Sequence, residues 1–184
     1  PELAKKAYRC VAKEAANDGV HWAFSPMIDI SRDPRWGRCI EGIGEDPHLG
    51  GKMAAAVTEG FQGEDYSAPD SLAACAKHFP GDGLDWRDQH IVTTNNTLPF
   101  DEWKKKSGKV FEEVIKSGVY SIMGGHITLP SYQKEVFENG MKLPSTLSHE
   151  LITNLLKNEM GFDGVVVTDA LGMGGFNGWY KTED

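Results

Sequence analysis

Apolar side chains recur along this chain with two periods, one typical of helices and the other of buried strands. Residues 1–17 place one apolar stripe along a helical face, formed by Leu3, Ala7, Val11 and Ala15. Three further segments have helical character: 47–63, 99–118 and 147–161, the last opened by Ser148. The chain therefore has four predicted helices.

Four short apolar runs lie among these helices: 19–26, 71–79, 119–126 and 164–170. Helix and strand alternate without hairpin signals, which predicts an α/β fold with parallel strands joined by helical crossovers. The pattern is compatible with part of a barrel and with part of a doubly wound sheet. Periodicity alone does not choose between these two architectures.

The long polar and glycine-rich stretches follow the predicted strands, whereas the connections before the strands are short. The four stretches are 25–47, 77–90, 124–130 and 168–178. In parallel α/β folds, active sites form at the carboxyl ends of the strands, where loops of this kind meet. We therefore expect the four loops to face one shared cleft.

Composition narrows the possible partners. The 184 residues are 40% hydrophobic, enough for one ordinary domain, and the net charge of −8 disfavours nucleic acid and anionic lipid. No apolar run approaches the roughly 18 residues that a membrane span needs. The chain begins without methionine and stops just after a glycine-rich turn, so we expect it to be a piece of a longer protein whose remainder is its missing partner.

Metal and cofactor motifs are absent from the sequence. The three cysteines are far apart and the six histidines show no paired spacing, so neither a disulfide framework nor a metal site is predicted. A glycine fingerprint for dinucleotides starting at Gly172 fails at Asn177. No cofactor is predicted, and a nucleotide-binding domain loses its support.

Two strand ends carry candidate catalytic or binding groups. Asp169 comes at the end of an apolar strand that contains three valines, and burying an acid there is costly unless it has partners or a functional role. Asp169 is therefore either a helix cap or a catalytic carboxylate. Lys77 and His78 end another strand and are either surface groups or donors to sugar hydroxyls or a carboxylate.

Charged residues in two loops add further candidates. Asp88 and His90 lie two residues apart, and an extended backbone would turn both side chains to one side, so that the carboxylate orients the imidazole. The alternative is a solvated polar loop. The segment 31–47 contains three arginines and several acids, and one arginine left over from internal ion pairing would face the cleft as a rigid fork for hydroxyls or carboxylates.

Three separated motifs together resemble the family 3 glycoside hydrolases. They are "FSPMIDISRDPRWGRCIEGIGEDPHLGGKMAAAVTEGFQG", "AKHFPGDG" and "GFDGVVVTDALGM", and they occur in the family's order. The resemblance covers essentially the whole chain. It implies a portion of a TIM-type (β/α)8 barrel, with residues 1–184 forming a single incomplete catalytic barrel domain. The earlier strands, with a substrate-binding aspartate, would lie upstream.

The resemblance also implies roles for particular residues. Asp169 matches the nucleophile that forms a covalent glycosyl-enzyme with retention of configuration. Arg38, Lys77 and His78 match residues that hold the sugar hydroxyls, and His126 falls where some members have a histidine lining the cleft. The implied partner is a carbohydrate substrate.

The branches of this family differ in the residue that acts as acid and base. Many β-glucosidases take a glutamate from a second domain, whereas the β-N-acetylglucosaminidase branch uses an Asp-x-His dyad that Asp88 and His90 match. This chain departs from that branch at Asp82, where histidine is usual, and at Gln89, where serine is usual; its long "RDPRWGR" segment is closer to the glucosidases. The span 80–87 is expected to be flexible.

The resulting expectation is a retaining exo-acting β-glycosidase, with terminal β-N-acetylglucosaminides favoured over glucosides. Two alternatives stay open. One is a β-glucosidase whose acid–base residue lies outside this segment, and the other is a carbohydrate-binding relative without catalysis.

Overall fold

The computed structural model describes residues 1–137 and 140–179. Its helices and strands follow in this order: α1 Glu2–Asn17, β1 Trp22–Ala23, α2 Pro47–Gln62, β2 Ala73–Phe79, β3 Thr94–Asn95, α3 Phe100–Lys105, α4 Ser107–Lys116, β4 Ser121–Gly124, β5 Ile127–Thr128, a 3₁₀ turn Ser145–Leu147, a π-helix Glu150–Glu159, β6 Val165–Thr168 and α5 Gly174–Asn177.

The main sheet is parallel and has the strand order β1-β2-β4-β6. Helices lie between its successive strands, so the predicted α/β class with alternating strands and helices is confirmed. The order follows the chain without reversal, as it does in a TIM-type barrel, whereas a doubly wound sheet reverses at a switch point. Within the described residues the sheet does not close, since β1 and β6 each have one strand neighbour.

The core lies between the sheet and its helices. Phe79 of β2 packs edge-on against Phe111 of α4 and Trp103 of α3, with ring centroids 5.1 and 6.2 Å apart. All three side chains are at most 1% exposed. Burying a side chain of this size contributes about 1.5–3 kcal/mol, so these contacts hold α3 and α4 against the sheet.

The predicted helix over 99–118 was wrong as one continuous element. It breaks at Lys106, whose φ of −115° and ψ of −99° are not helical. The break lets the Trp103 indole donate to the Pro80 carbonyl at 2.7 Å and lie directly against Gly108, where an added Cβ would come within 2.8 Å of the ring. The helix is therefore interrupted where Trp103 bonds to Pro80 and packs against Gly108.

The first predicted strand, 19–26, forms regular pairing only at Trp22 and Ala23. Irregular pairing to β2 continues beyond Pro26, through a bridge between Met27 and Lys77 and a bond from the Ile28 amide to the Lys77 carbonyl. This extension carries the chain to the carboxyl end of β2.

The helix predicted over 147–161 begins after Ser148, whose hydroxyl accepts the Leu151 amide at 3.2 Å. The two-residue strands β3 and β5 were not predicted; they pair in parallel within the loops. No helix among residues 1–137 and 140–179 has the length and apolar character of a membrane span.

Candidate active site

Loops from all four strands of the main sheet meet at its carboxyl end, as predicted. His78 is the next-to-last residue of β2 and lies against Asp29 and Arg38 of the loop after β1. Its Nε2 is also 3.6 Å from the Asp169 carboxylate, which follows β6. His126, after β4, contacts the Ala170 carbonyl through Nε2 at 3.1 Å.

Asp29 is the buried anchor of this cluster, and sequence reasoning did not single it out. Its Oδ2 accepts the His78 Nδ1 proton at 2.7 Å, and its Oδ1 accepts the backbone amides of His78 at 3.1 Å and Asp82 at 2.7 Å. Burial alone would raise the pKa of Asp29, but the His78 imidazole and these hydrogen bonds lower it. The available signal was a lone acid between Ile28 and Ile30, each only 2% exposed.

Arg38 is the arginine that faces the cluster, and Glu41 holds it there. The Nε and NH2 groups of Arg38 donate to the two Glu41 oxygens at 2.8 and 2.7 Å, while NH1 lies 3.2 Å from His78 Nε2. Because a guanidinium only donates, this contact makes Nε2 an acceptor and puts the imidazole proton on Nδ1, toward Asp29. The neighbouring Arg35 is instead bound to Asp33.

Asp169 presents one unshared carboxylate oxygen. Its Oδ1 accepts the Ala170 amide at 2.8 Å, and its own amide donates to the Gly124 carbonyl at 3.0 Å. Within the described part of the chain, Oδ2 receives no hydrogen bond. The side chain is 15% exposed, so this oxygen lies at the surface of the cluster with its lone pairs available.

Lys77 supplies a cation without a fixed partner. It is half-buried, and its charge helps to lower the pKa of Glu41, after the larger effect of the hydrogen bonds from Arg38. No carboxylate pairs with its ammonium in residues 1–137 and 140–179. A lysine in this position can donate to a ligand without first losing an internal ion pair.

Asp88 and His90 do come together, but the expected extended backbone was wrong. The amides of Ile91 and Val92 donate back to the Asp88 carbonyl at 3.0 and 3.1 Å, which makes this segment a turn. Asp88 Oδ1 accepts both the His90 amide at 2.9 Å and its Nδ1 at 2.6 Å. A turn closed by the aspartate side chain therefore orients the imidazole, and Nε2 faces away from the carboxylate.

The dyad lies at the same end of the sheet as the other groups. Partial burial would raise the pKa of Asp88, but the bonds and charge of His90 lower it, with a smaller contribution from the Arg38 cation. Burial lowers the pKa of His126, on which the charges of Asp169, His78 and His90 also act. His126 therefore has Asp169, His78 and His90 in its electrostatic surroundings.

Two glycines of the last loop pack directly on the dyad turn. The amides of Gly174 and Gly175 donate to the carbonyls of His90 and Gln89 at 2.7 and 3.2 Å. A Cβ at Gly175 would come within 2.5 Å of the Gln89 carbonyl oxygen. The glycine-rich sequence after Asp169 therefore allows close approach to this turn.

His126 does not line an open cleft. Its side chain is fully buried, and Nδ1 lies 2.9 Å from the Thr146 hydroxyl while Nε2 donates to the Ala170 carbonyl. Both ring nitrogens thus have protein partners. The observed contacts place His126 against the loop that carries Asp169.

The segment expected to be flexible, 80–87, is held by hydrogen bonds. The Gly83 carbonyl accepts the amides of Arg32 and Asp33 at 2.8 and 3.0 Å. Asp82 is 2% exposed, and burial, reinforced by the charge of Asp29, raises its pKa to about 8. This segment is therefore part of the framework around the site.

Metal ligation has no geometric support in the described chain. Residues 1–137 and 140–179 contain no group of three or more histidine, cysteine or acidic side chains that could hold an ion. The buried Cys75 and the separated Cys10 and Cys39 are unbridged.

Comparisons with known proteins agree with this geometry. The curated relative "Beta-N-acetylglucosaminidase/beta-glucosidase" of Cellulomonas fimi is 36% identical over 177 residues, which cover 93% of this chain and 30% of that protein. A solved β-N-acetylglucosaminidase of glycoside hydrolase family 3 from Paenibacillus sp. str. FPU-7 has a TM-score of 0.87 and 31% identity, covering 97% of this chain and 32% of its own.

A third similar protein, a solved structure named "Beta-glucoside phosphorylase BglX", has a TM-score of 0.86 and 31% identity over 95% of this chain. The chain spans about a third of the length of these relatives. The sequence profile described as "Glycosyl hydrolase family 3 N terminal domain" matches residues 1–184. The chain therefore belongs to glycosyl hydrolase family 3 and corresponds to that family's N-terminal domain.

Proposed function

We propose that the protein containing this chain is a retaining exo-acting β-glycosidase, with Asp169 as nucleophile and Asp88–His90 as acid–base dyad. Residues 1–184 would then be a single, incomplete catalytic barrel domain. One observation carries the proposal: an aspartate with an unshared oxygen lies 3.6 Å from His78, which also contacts Arg38, and a separate carboxylate-bound imidazole stands at the same end of the sheet. Retaining glycosidases need these two functions, a nucleophile and an acid–base group.

In the first step, Asp169 Oδ2 attacks the anomeric carbon and forms a covalent glycosyl ester. The bond to the leaving oxygen breaks at the same time, and the His90 imidazolium gives that oxygen its proton. Asp88 accepts from Nδ1 at 2.6 Å and stabilises the protonated imidazole, so the proton to be transferred is on Nε2.

In the second step, the neutral His90 removes a proton from water, and the resulting hydroxide equivalent attacks the anomeric carbon from the face that the leaving group occupied. The ester bond to Asp169 breaks and regenerates the carboxylate, and His90 keeps the proton that it took from water, so both groups return to their starting states. Two inversions give net retention.

The sugar-binding role is proposed for Arg38, Lys77 and His78. Glu41 already fixes the Arg38 fork, and the Lys77 ammonium has no competing carboxylate in the described residues. Both cations are therefore placed to donate to hydroxyls. His78 is 1% exposed, so it acts chiefly by holding Arg38 and facing Asp169.

The substrate class is proposed to be terminal β-N-acetylglucosaminides. The presence of the dyad in this chain favours this substrate over a glucoside, and two of the similar proteins carry β-N-acetylglucosaminidase in their names. Activity of the full-length protein on paired aryl β-N-acetylglucosaminide and β-glucoside substrates tests this choice. A preference for the glucoside by 10-fold or more would favour the alternative in which the acid–base residue lies outside residues 1–184.

Trapping tests the nucleophile. A 2-deoxy-2-fluoro glycosyl fluoride should inactivate the full-length protein and leave its sugar on the peptide that contains Asp169. Asp169→Ala should abolish this labelling, while Asp163→Ala, at an exposed position five residues after Asn158, should retain it. Labelling that persists in Asp169→Ala would refute the assignment, and no labelling or turnover in the unmodified protein would favour a binding protein without catalysis.

Leaving-group dependence tests the dyad. His90→Ala should lower kcat/KM for a disaccharide by about 10²–10⁴-fold, the usual contribution of general acid catalysis, and much less for a 4-nitrophenyl glycoside, which needs no protonation. Equal losses on both substrates would contradict an acid role. Because one similar structure is named a phosphorylase, the products should also be analysed with inorganic phosphate present, to learn whether water or phosphate accepts the sugar.

A further inference from the structure

The two positions at which this chain departs from the N-acetylglucosaminidase pattern contact each other. Gln89 Nε2 donates to Asp82 Oδ2 at 3.2 Å, although the two residues are seven positions apart in the chain. Gln89 is fully buried and Asp82 is 2% exposed. Two unusual residues that meet in the interior indicate one shared role.

The hydrogen bonds of Gln89 fix the direction of its amide. Oε1 accepts the His126 backbone amide at 2.9 Å, and because a backbone N–H only donates, the oxygen must be on that side. Nε2 therefore faces Asp82. The side chain spans from the end of β4 to the loop after β2 and has a polar partner at each end.

Asp82 connects this bridge to the nucleophile side of the site. Its amide donates to Asp29 Oδ1 at 2.7 Å, and the same Asp29 carboxylate orients His78, whose Nε2 is 3.6 Å from Asp169. Asp82 Oδ1 also accepts the Gly83 amide at 3.0 Å and the Thr94 hydroxyl at 3.4 Å. The carboxyl group is thus held from several sides.

Gln89 is the central residue of the dyad turn, between Asp88 and His90. Both members of the dyad are about half exposed, with side-chain exposures of 44% and 51%, so their own contacts do little to fix them relative to the sheet. The buried Gln89 side chain, together with the bonds from Gly174 and Gly175, is what fastens this turn to the protein.

We propose that Asp82 and Gln89 form a positioning pair that sets the distance and direction of His90 relative to Asp169. The proposal rests on the proposed acid–base role of the dyad. Catalytic groups lose much of their effect when displaced by about 1 Å, so loosening the Asp82–Gln89 bond should weaken proton transfer and leave nucleophilic attack largely intact.

The test uses Gln89→Leu, Asp82→Leu and the conservative Asp82→Asn in the full-length protein. Gln89→Leu and Asp82→Leu should each lower kcat/KM for a disaccharide on the order of 10-fold more than for the 4-nitrophenyl glycoside. Asp82→Asn keeps an oxygen that can accept from Gln89, so it should change the ratio of the two activities less than Asp82→Leu does.

Gln133→Leu is the matched control. Gln133 is also a buried glutamine that links two segments, through the Leu129 amide and the Leu143 carbonyl at 2.9 and 2.8 Å, but it lies away from the dyad. It should lower the melting temperature without changing the ratio of the two activities. The double variant of Asp82→Leu and Gln89→Leu should lose no more of this ratio than either single variant, because both remove the same bond.

The outcomes separate this proposal from the one on which it rests. Equal losses on both substrates in Gln89→Leu, or additive losses in the double variant, would overturn the positioning pair. If His90→Ala itself shows equal losses, the acid–base assignment fails. If His90→Ala is selective for the disaccharide and Gln89→Leu is not, only the positioning pair fails.

Discussion

Asp29 shows how one buried side chain can fix several parts of a site. Its two oxygens accept three hydrogen bonds, two from backbone amides and one from the His78 ring. All three partners are donors, so the site requires an acceptor on both sides of the carboxyl group. An aspartate meets this requirement and an asparagine does not.

Asp29→Asn should therefore destabilise the protein by about 1–3 kcal/mol, because an NH2 group must face a buried donor. It should also lower kcat/KM, since His78 loses its orienting partner. Urea unfolding and steady-state kinetics check the two effects. Asp33→Asn, which changes an aspartate paired with the exposed Arg35, is the control and should leave the free energy of unfolding within about 0.5 kcal/mol. Unchanged unfolding in Asp29→Asn would contradict the proposed anchoring.

Asp82 differs from Asp29 in that its surroundings raise the pKa of its carboxyl group instead of lowering it. In the unfolded chain its carboxyl group loses the proton near pH 4, whereas burial and the charge of Asp29 raise its pKa in the folded protein to about 8. Between these values the folded state binds one more proton than the unfolded state. The free energy of unfolding therefore falls as the pH rises through this range, by at most about 1.4 kcal/mol per pH unit.

Asp82→Asn should remove this contribution, because its amide does not titrate. The difference in the free energy of unfolding between Asp82→Asn and the unmodified protein should grow in favour of the variant from pH 5 to pH 8. Denaturant titrations at several pH values measure it. A difference that does not change with pH would show that Asp82 is already ionised throughout.

At the scale of elements, the loop after β6 and the dyad turn form one packed unit. Gly175→Ala should displace this unit, because its Cβ would come within 2.5 Å of the Gln89 carbonyl oxygen and 2.8 Å of His126 Cβ. We expect a loss of kcat on the order of 10-fold or more, measured on the disaccharide. Gly172→Ala is the control in the same loop, since nothing lies within 4 Å of its added Cβ, and equal activity losses in both variants would argue against the contact.

The sequence predicted this element-level arrangement in part. The alternation of helix and strand predicted the parallel sheet, and the position of the polar loops predicted the shared cleft. Both predictions were possible because buried strands are apolar and the loops at the carboxyl ends are long. The break at Lys106 and the turn at Asp88 were not predicted. The break accompanies the contact of Trp103 with Pro80, which is distant in the chain. The turn at Asp88 is closed by local bonds from Ile91 and Val92, and only its packing against Gly174 and Gly175 joins distant residues.

The candidate site was predictable only where chemistry concentrates in a motif. Asp169, Lys77 and His78 stand directly at strand ends, and the structure brings them to one place. The sequence marked Gln89 only as a departure from the family pattern and Asp29 only as an acid between two isoleucines, and their roles became visible from their burial and partners. For His126, the family resemblance implied a cleft position, while packing against the last loop encloses its ring.

For the molecule as a whole, the sheet has two unpaired edges within the described residues. β6 pairs with β4 alone, and its Val165 is 42% exposed. Unpaired strand edges with apolar side chains favour association between chains. Residues 1–184 produced alone should therefore self-associate.

Val165→Lys should reduce this association, because a charged residue on an edge strand opposes pairing with another chain. Light scattering across a range of protein concentrations measures the effect. Ile40→Lys introduces the same charge at a residue that is 95% exposed but lies away from the sheet edge, and it should associate as strongly as the unmodified chain. Equal reduction by both substitutions would attribute the effect to net charge.

The contact of Gly174 and Gly175 with the dyad turn has a consequence for protein engineering. If only one of these two loops were exchanged between two members of the family, the amides of Gly174 and Gly175 would face a turn whose carbonyls are not placed to accept them. Segments 80–96 and 169–179 should therefore be transplanted together when the specificity or acceptor preference of such an enzyme is redesigned. The unit of exchange is the pair of loops, although 72 residues of sequence separate them.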